Sequence, residues 1–258
     1  MTCDSSVDGL QALDKRDSAL RNVDVIPGLA YYTNATEILG TQFGGNDLCH
    51  AQAFLLAGLY AGQLARVMES WTWINAACRA CRILVRREGL AHEPVPLPLS
   101  KRKDLTKLAF WTCLQLESDI LAELDLPSSG ISRYEDNVSL PLGIIEDMPQ
   151  NEQAPDNSQD AEMVMLYYSA QIQLRKILNR THTALYNSKQ LERQLKEWRD
   201  SLPSFLKWKD EDPPAREINA ARMRAKYYGA RYIINRTFLD YALHVMDPQR
   251  KNKPLLDA

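Results

Sequence analysis

Residues 162–186, EMVMLYYSAQIQLRKILNRTHTALY, decide the fold. Met163, Leu166, Tyr167, Ala170, Leu174, Ile177, Leu178 and Leu185 recur at steps of three and four, the spacing that gathers side chains on one face of an α-helix. One long amphipathic helix is therefore predicted. The same period continues on the C-terminal side. Residues 188–201 set Leu191, Leu195 and Trp198 on one stripe, place Glu192 four residues before Lys196, and stop at Pro203. After Pro213 and Pro214, residues 217–246 offer Ala221, Ala225, Tyr228, Tyr232, Leu239 and Leu243 as a core stripe. On the N-terminal side, residues 147–160, DMPQNEQAPDNSQD, hold almost no apolar atoms and read as a flexible insertion.

Further upstream, residues 100–124 carry Leu105, Leu108, Phe110, Trp111, Leu114, Leu116, Ile120, Leu121 and Leu124. Little polar face is left, so this helix belongs at the centre with Trp111 buried. Pro127, Ser128, Ser129 and Gly130 break the chain, and residues 131–145, with Pro141 and Gly143, read as an ordered loop. Before them, a helix from about Ser70 puts Trp73, Ile74, Ala77, Cys81, Leu84 and Val85 on one face and leaves Arg79, Arg82 and Arg86 outside it. Gly89 ends that helix, and Pro94, Pro96 and Pro98 keep it ended. Asp47 suits an N-cap for a helix through Phe54, Leu55 and Leu59, in which Ala57, Gly58, Ala61 and Gly62 permit close packing. An earlier helix opens at Pro27 and ends at Gly40, and residues 1–24 read as frayed. No run alternates like a strand. The expected class is all-α, a compact multi-helix domain with long amphipathic helices.

The 258 residues are 45% hydrophobic and 25% charged, with a formal net charge of −2. That suffices for a substantial core and gives no overall field toward nucleic acid or an anionic membrane. The N-terminal MTCDSSVDGLQALDKRD has neither the basic start nor the apolar run of a secretory signal, and residues 51–65 are too short and too polar to span a bilayer. Five cysteines at irregular spacing fit reduced thiols better than a disulfide framework.

The residue patterns that carry chemistry are sparse. Cys78 and Cys81 have C-x-x-C spacing, but zinc takes four ligands and no second pair follows at a suitable distance, so buried structural thiols are expected. His50, His92, His182 and His244 form no H-E-x-x-H pair. Glu117, Asp119, Glu123 and Asp125 are the densest acids beside an apolar stretch. In an all-helical metal-dependent enzyme such acids could hold magnesium for a diphosphate substrate, although Glu117 and Asp119 point to different sides of a helix. No G-x-x-x-x-G-K-[ST] or G-x-G-x-x-G loop occurs, and Gly40, Gly44 and Gly45 read as turns between helices. Two short basic runs, residues 101–103 and 222–226, read as solvated helix faces. No catalytic, cofactor or metal residue is expected. A free-standing helical interaction module and the diphosphate enzyme both remain open at this point.

Several blocks carry a resemblance. Trp71-Thr72-Trp73 opens one helix, RREGL (86–90) closes it, and KLAFW (107–111) sits in the next. CLQLESD (113–119) then leads into ELDLP (123–127), SGI (129–131) and Leu140-Pro141. Downstream lie YSAQI (168–172), LNR (178–180), Trp208, DPP (212–214) and AKYYGARY (225–232). In order and spacing these blocks resemble the middle homology region of fungal transcription factors with binuclear, six-cysteine zinc clusters. Thr237 departs from the family's usual proline after arginine. The resemblance marks Trp73, Phe110, Trp111, Glu117, Asp119, Glu123, Pro127, Ser129, Gly130, Pro141, Tyr228 and Arg231 as signature positions with a structural role.

The resemblance implies an all-α regulatory domain over residues 25–258, acting in the nucleus on transcription by RNA polymerase II. The implied partners are the transcription machinery or a co-regulator protein, with a small-molecule effector in some relatives and no membrane. The family's DNA-reading zinc cluster is missing from these residues. DNA is therefore expected only through that module, and zinc only within it.

Overall fold

Residues 26–90, 101–141, 157–181 and 188–245 are described by the computed structural model, and among them every regular element is helical. The helices are α1 (Leu29–Thr41), α2 (Leu48–Gln63), α3 (Val67–Arg87), α4 (Lys101–Glu123), α5 (Asn157–Thr181), α6 (Ser188–Ser201) and α7 (Ile218–Val245). Single 3-10 turns lie at Ile131–Tyr134 and Ser204–Leu206. The all-α expectation holds. The chain divides into two units, one of Met1–Glu93 with Thr112–Tyr134 and one of Pro94–Trp111 with Glu135–Ala258. α4 therefore gives its first half to the second unit and its second half to the first.

In the first unit, α2 and α3 make the most extensive helix pair among the described elements. Gly58 makes that approach possible. A Cβ there would lie 2.7 Å from Ile74 Cγ1 and 3.2 Å from the Ser70 carbonyl oxygen. Ser70 Oγ donates to the Gly58 carbonyl at 2.7 Å, so two backbones are tied where no side chain intervenes. The predicted α3 face is buried throughout, with Trp73, Ile74, Ala77, Cys81, Leu84 and Val85 at 9% exposure or less. Gly89, at φ 67, follows its end, where glycine takes the left-handed region at no cost.

The second unit contains α5, α6 and α7, which pack pairwise. Their apolar faces meet in a core that includes Leu174, Ile177, Leu191, Leu195, Trp198, Met223, Tyr227, Ala230 and Ile234. α6 keeps its predicted bounds and stripe, with an i,i+4 ion pair between Arg193 Nε and Glu197 Oε1 at 3.5 Å. In the same unit Trp111 is 1% exposed and donates from Nε1 to the Ser139 carbonyl at 3.1 Å.

Several expectations are corrected. The most consequential concerns α7: Ala225, Tyr228, Tyr232 and Leu243 are exposed, and the buried positions are Met223, Tyr227, Ala230 and Ile234. Apolar residues lie on both sides of this helix, so its period fits two phases, and the sequence alone does not select between them. α1 starts two residues after Pro27 because Gly28 adopts φ 81, and it runs through Gly40, which is not at positive φ. Asn157–Asp160, placed in the insertion for want of apolar atoms, form the first turn of α5. The rest of the insertion lies outside the described residues, as do residues 1–24, Pro94, Pro96, Pro98, His92, His182 and Leu185. α4 is less uniformly apolar inside than expected, since Asp104, Thr106, Lys107, Gln115 and Glu117 are buried while Leu105, Leu108 and Leu116 are only half-buried.

Two substitutions test these packing claims. Trp111→Ala should lower unfolding free energy by about 3–5 kcal/mol through lost burial and a residual cavity, read from urea denaturation. An unchanged midpoint would place Trp111 outside the core. Gly58→Ala gains about 1 kcal/mol of helix propensity in isolation. Overpacking against Ile74 and the Ser70 carbonyl should nonetheless make the folded protein less stable by roughly 1–3 kcal/mol, and a raised melting temperature would refute the close approach.

Candidate functional site

The richest cluster of polar and aromatic groups lies in the second unit, where α6, the segment after Pro203 and α7 meet. Each element supplies its part for a local reason. Pro203 ends α6 and starts the 3-10 turn Ser204–Leu206, after which Lys207 is extended and carries the chain to Trp208. The Lys209 amide donates to Asp212 Oδ2 at 2.7 Å, a tight turn that presents Asp210. Glu217 then accepts from the Asn219 and Ala220 amides at 2.9 and 2.7 Å, capping the start of α7. Desolvation pushes its carboxyl up, but those backbone bonds together with side-chain bonds to Asn219 and Tyr167 hold it below the usual range.

Arg199 is the centre of the cluster. Its guanidinium carbon lies 4.7 Å from the Trp208 ring centre and 5.1 Å from that of Tyr227, a double cation–π arrangement. Nη2 donates to the Trp208 carbonyl at 2.8 Å and pairs with Asp210 Oδ1 at 2.7 Å. Tyr228 donates from its hydroxyl to the same Asp210 oxygen at 2.7 Å and accepts from Trp208 Nε1 at 3.1 Å. Arg231 Nη1 is 3.8 Å from Asp210 Oδ2. The Tyr228 hydrogen bond first, and then Arg199, hold the Asp210 carboxyl below the usual carboxylate range. Burial and then the Asp210 bond push the Tyr228 phenol up.

Beside this network opens a groove of about 470 Å³ whose lining includes Leu195, Lys196, Arg199, Trp208, Tyr227 and Arg231. Its mixed charges and aromatic floor suit a surface that is recognised. Asp210 is engaged on both oxygens, which makes it a fixed anchor for cations rather than a free base.

The signature positions separate into small local sets. In the first unit, Glu117 is buried and its Oε1 accepts from the Ser129 amide at 2.6 Å, while Arg82 donates to the Ser129 carbonyl and Ser129 Oγ accepts from the Ile131 amide at 3.2 Å. Gly130, at φ 79, completes that turn. Pro127, Asp119 and Glu123 are exposed, so the structure brings Glu117 to a backbone turn and not to the neighbouring acids. Trp73 stacks on Phe54 with ring centres 5.8 Å apart. In the second unit, Phe110 meets Trp111 edge-on at 5.2 Å, Pro141 is buried, and Tyr228 and Arg231 converge on Asp210.

Cys78, Cys81 and Cys113 are all buried in the first unit, with Cys81 Sγ 3.6 Å from Cys113 Sγ. Burial first, and then its contacts with the Cys78 and Cys81 thiols, push the Cys113 thiol well up, which leaves it a poor nucleophile. Among the described residues no group of three or more His, Cys, Asp or Glu side chains could hold a metal ion. Arg199, Asp210 and Tyr227 were not among the sequence-derived candidates. Arg199 is one charge among many on α6, and only its position directly after Trp198 sets it apart.

The sequence matches the fungal specific transcription factor domain over residues 10–213. The chain belongs to that family, and it is a regulatory region of the fungal transcription factor kind. Neither a curated protein nor a solved structure matches it. Among the described residues no helix is long and apolar enough to cross a membrane.

Lys226, on α7, yields a pH test. Burial first, and then the charges of Arg175 and Arg222, pull its amine from 10.5 to about 8. Above pH 10.5 the amine is neutral in both folded and unfolded chains. As pH falls toward 8 the unfolded chain takes up the proton first, so stability is lost across that window. Lys226→Met should flatten that part of the stability profile, measured by urea midpoints from pH 10.5 to 7.5. Parallel profiles for the two proteins would show that Lys226 is not buried among those cations.

Proposed function

We propose that this chain is the regulatory body of a fungal zinc-cluster transcription factor and modulates transcription by RNA polymerase II in the nucleus. It acts through contacts with the transcription machinery or a co-regulator protein, and a zinc cluster outside the present residues delivers it to DNA. The observation that carries the reading is the family match over residues 10–213. The geometry agrees with it: buried Glu117 is engaged in a turn and the thiols of Cys81 and Cys113 in packing, whereas the groove around Arg199 displays preorganised polar and aromatic groups for recognition.

Fused to an unrelated DNA-binding domain in a fungal host, the chain should change the output of a reporter. Leu174 is fully buried inside α5, so Leu174→Pro should abolish the effect, since proline in a helix interior costs about 3 kcal/mol or more. A folded fusion that leaves the reporter unchanged across growth conditions would overturn the proposal.

A further inference from the structure

α7 has two faces of different character. At 100° per residue, Met223, Tyr227, Ala230 and Ile234 gather on the side buried in the second unit's core, and Arg222, Ala225, Gly229, Tyr232, Ile233, Arg236 and Leu243 gather on the other. Tyr232 is 58% exposed, Ile233 47% and Leu243 59%. Single exposed apolar residues are ordinary, but several on one stripe of one helix form a patch.

Gly229 lies in the middle of that stripe. Glycine in a helix interior costs about 1 kcal/mol relative to alanine, and internal packing usually accounts for its presence. Here a Cβ would meet nothing within 4 Å among the described residues. With Ala225 one turn before it and Tyr232 and Ile233 after it, Gly229 makes a notch in the outer face that none of the described residues fills.

Charge selects the occupant. From Ile218 to Val245 the helix carries Arg222, Arg224, Lys226, Arg231 and Arg236 against one acid, Asp240. A second copy of the chain would set this basic helix against itself, and like charges across an interface oppose association. Nucleic acid would want cations along the stripe, where Ala225, Gly229, Tyr232 and Ile233 stand instead. An acidic helix with bulky apolar residues on one side fits both properties: its apolar side chains enter the notch, and its carboxylates reach Arg222 and Arg236.

We infer that the outer face of α7, centred on Gly229, Tyr232 and Ile233, docks an acidic amphipathic protein segment. The inference rests on the regulatory reading above and gives it a surface and a partner chemistry.

The test is fluorescence anisotropy of the full chain with a labelled synthetic peptide of about 20 residues, carrying Leu and Phe at helical spacing and Asp or Glu elsewhere. Two further probes are the same peptide with Ser at the apolar positions and a DNA duplex of similar length. The apolar acidic peptide should bind the wild type more tightly than either. Its affinity should fall by roughly tenfold or more in Gly229→Gln, in Tyr232→Ser with Ile233→Ser, and in Arg222→Glu with Arg236→Glu. Lys207→Glu, on the exposed segment after α6, should leave binding unchanged. Gly229→Gln meets open space, so its thermal melt should match or exceed the wild type, which separates lost docking from lost folding. Should a serine variant lose its cooperative melt, Gly229→Gln and the probes on the wild type decide.

Equal binding of the serine peptide, tighter binding of the duplex, or unchanged affinity in Gly229→Gln would overturn the inference. So would a dimer in sedimentation velocity that Gly229→Gln dissociates, which would assign the face to a second copy. A reporter effect in the wild-type fusion without peptide binding removes this surface alone. Peptide binding with a silent wild-type fusion removes the regulatory reading alone.

Discussion

One helix has to satisfy two cores. α4 buries Thr106, Lys107, Phe110 and Trp111 within the second unit and Cys113, Leu114, Gln115 and Glu117 within the first. Removing polar groups from water costs free energy unless they are hydrogen-bonded, so each buried polar position on α4 demands a partner. Glu117 finds the Ser129 amide, which fixes the turn after Pro127, and Arg82 of α3 closes the same turn from the other side through the Ser129 carbonyl. The turn after α4 is thus specified by a carboxylate inside the helix as much as by Pro127 and Gly130. A half-satisfied arrangement of this kind would be worse than an apolar core, which ties α3, α4 and the turn into one cooperative set.

Much of this was legible in the residues. The long periodic runs gave α2, α3, α4 and α6 with ends close to their observed positions, because burial of an amphipathic face leaves a strong trace at steps of three and four. Gly58 was readable as a packing residue because small side chains between large ones signal helix contact. What the residues did not carry was the partner of each polar group. Glu117 looked like one acid among four, and nothing in the run from Cys113 to Asp119 says that its carboxylate turns to a backbone amide twelve positions on. The start of α5 was missed for a related reason, since Asn157–Asp160 are helical without an apolar residue to mark the period.

α7 shows the limit most clearly. Its sequence allows an apolar stripe through Ala225, Tyr228 and Tyr232 or one through Met223, Tyr227, Ala230 and Ile234, and hydrophobicity alone does not separate them. The adjacent tyrosines contribute to the ambiguity and also resolve it. Tyr227 packs against Trp198 and Trp208 with ring centres 5.9 and 5.3 Å away, while Tyr228 places its hydroxyl between Trp208 Nε1 and Asp210. A buried ring and a phenol at the rim require different environments, so only one rotation of the helix suits both.

That rotational setting matters more than the strength of the contacts that enforce it. Asp210 is half exposed, and ion pairs in such surroundings contribute little to stability. Their contribution is to register. Turning α7 by one residue, 100°, would swing Met223 and Ile234 away from the core and carry charged positions such as Arg222 toward it, and an unpaired buried charge costs several kcal/mol. The aromatic and ionic cluster around Arg199 and the basic composition of α7 therefore oppose the same error. The face that results outward holds Gly229, Tyr232 and Ile233, and it is set by what the opposite side of the helix must bury.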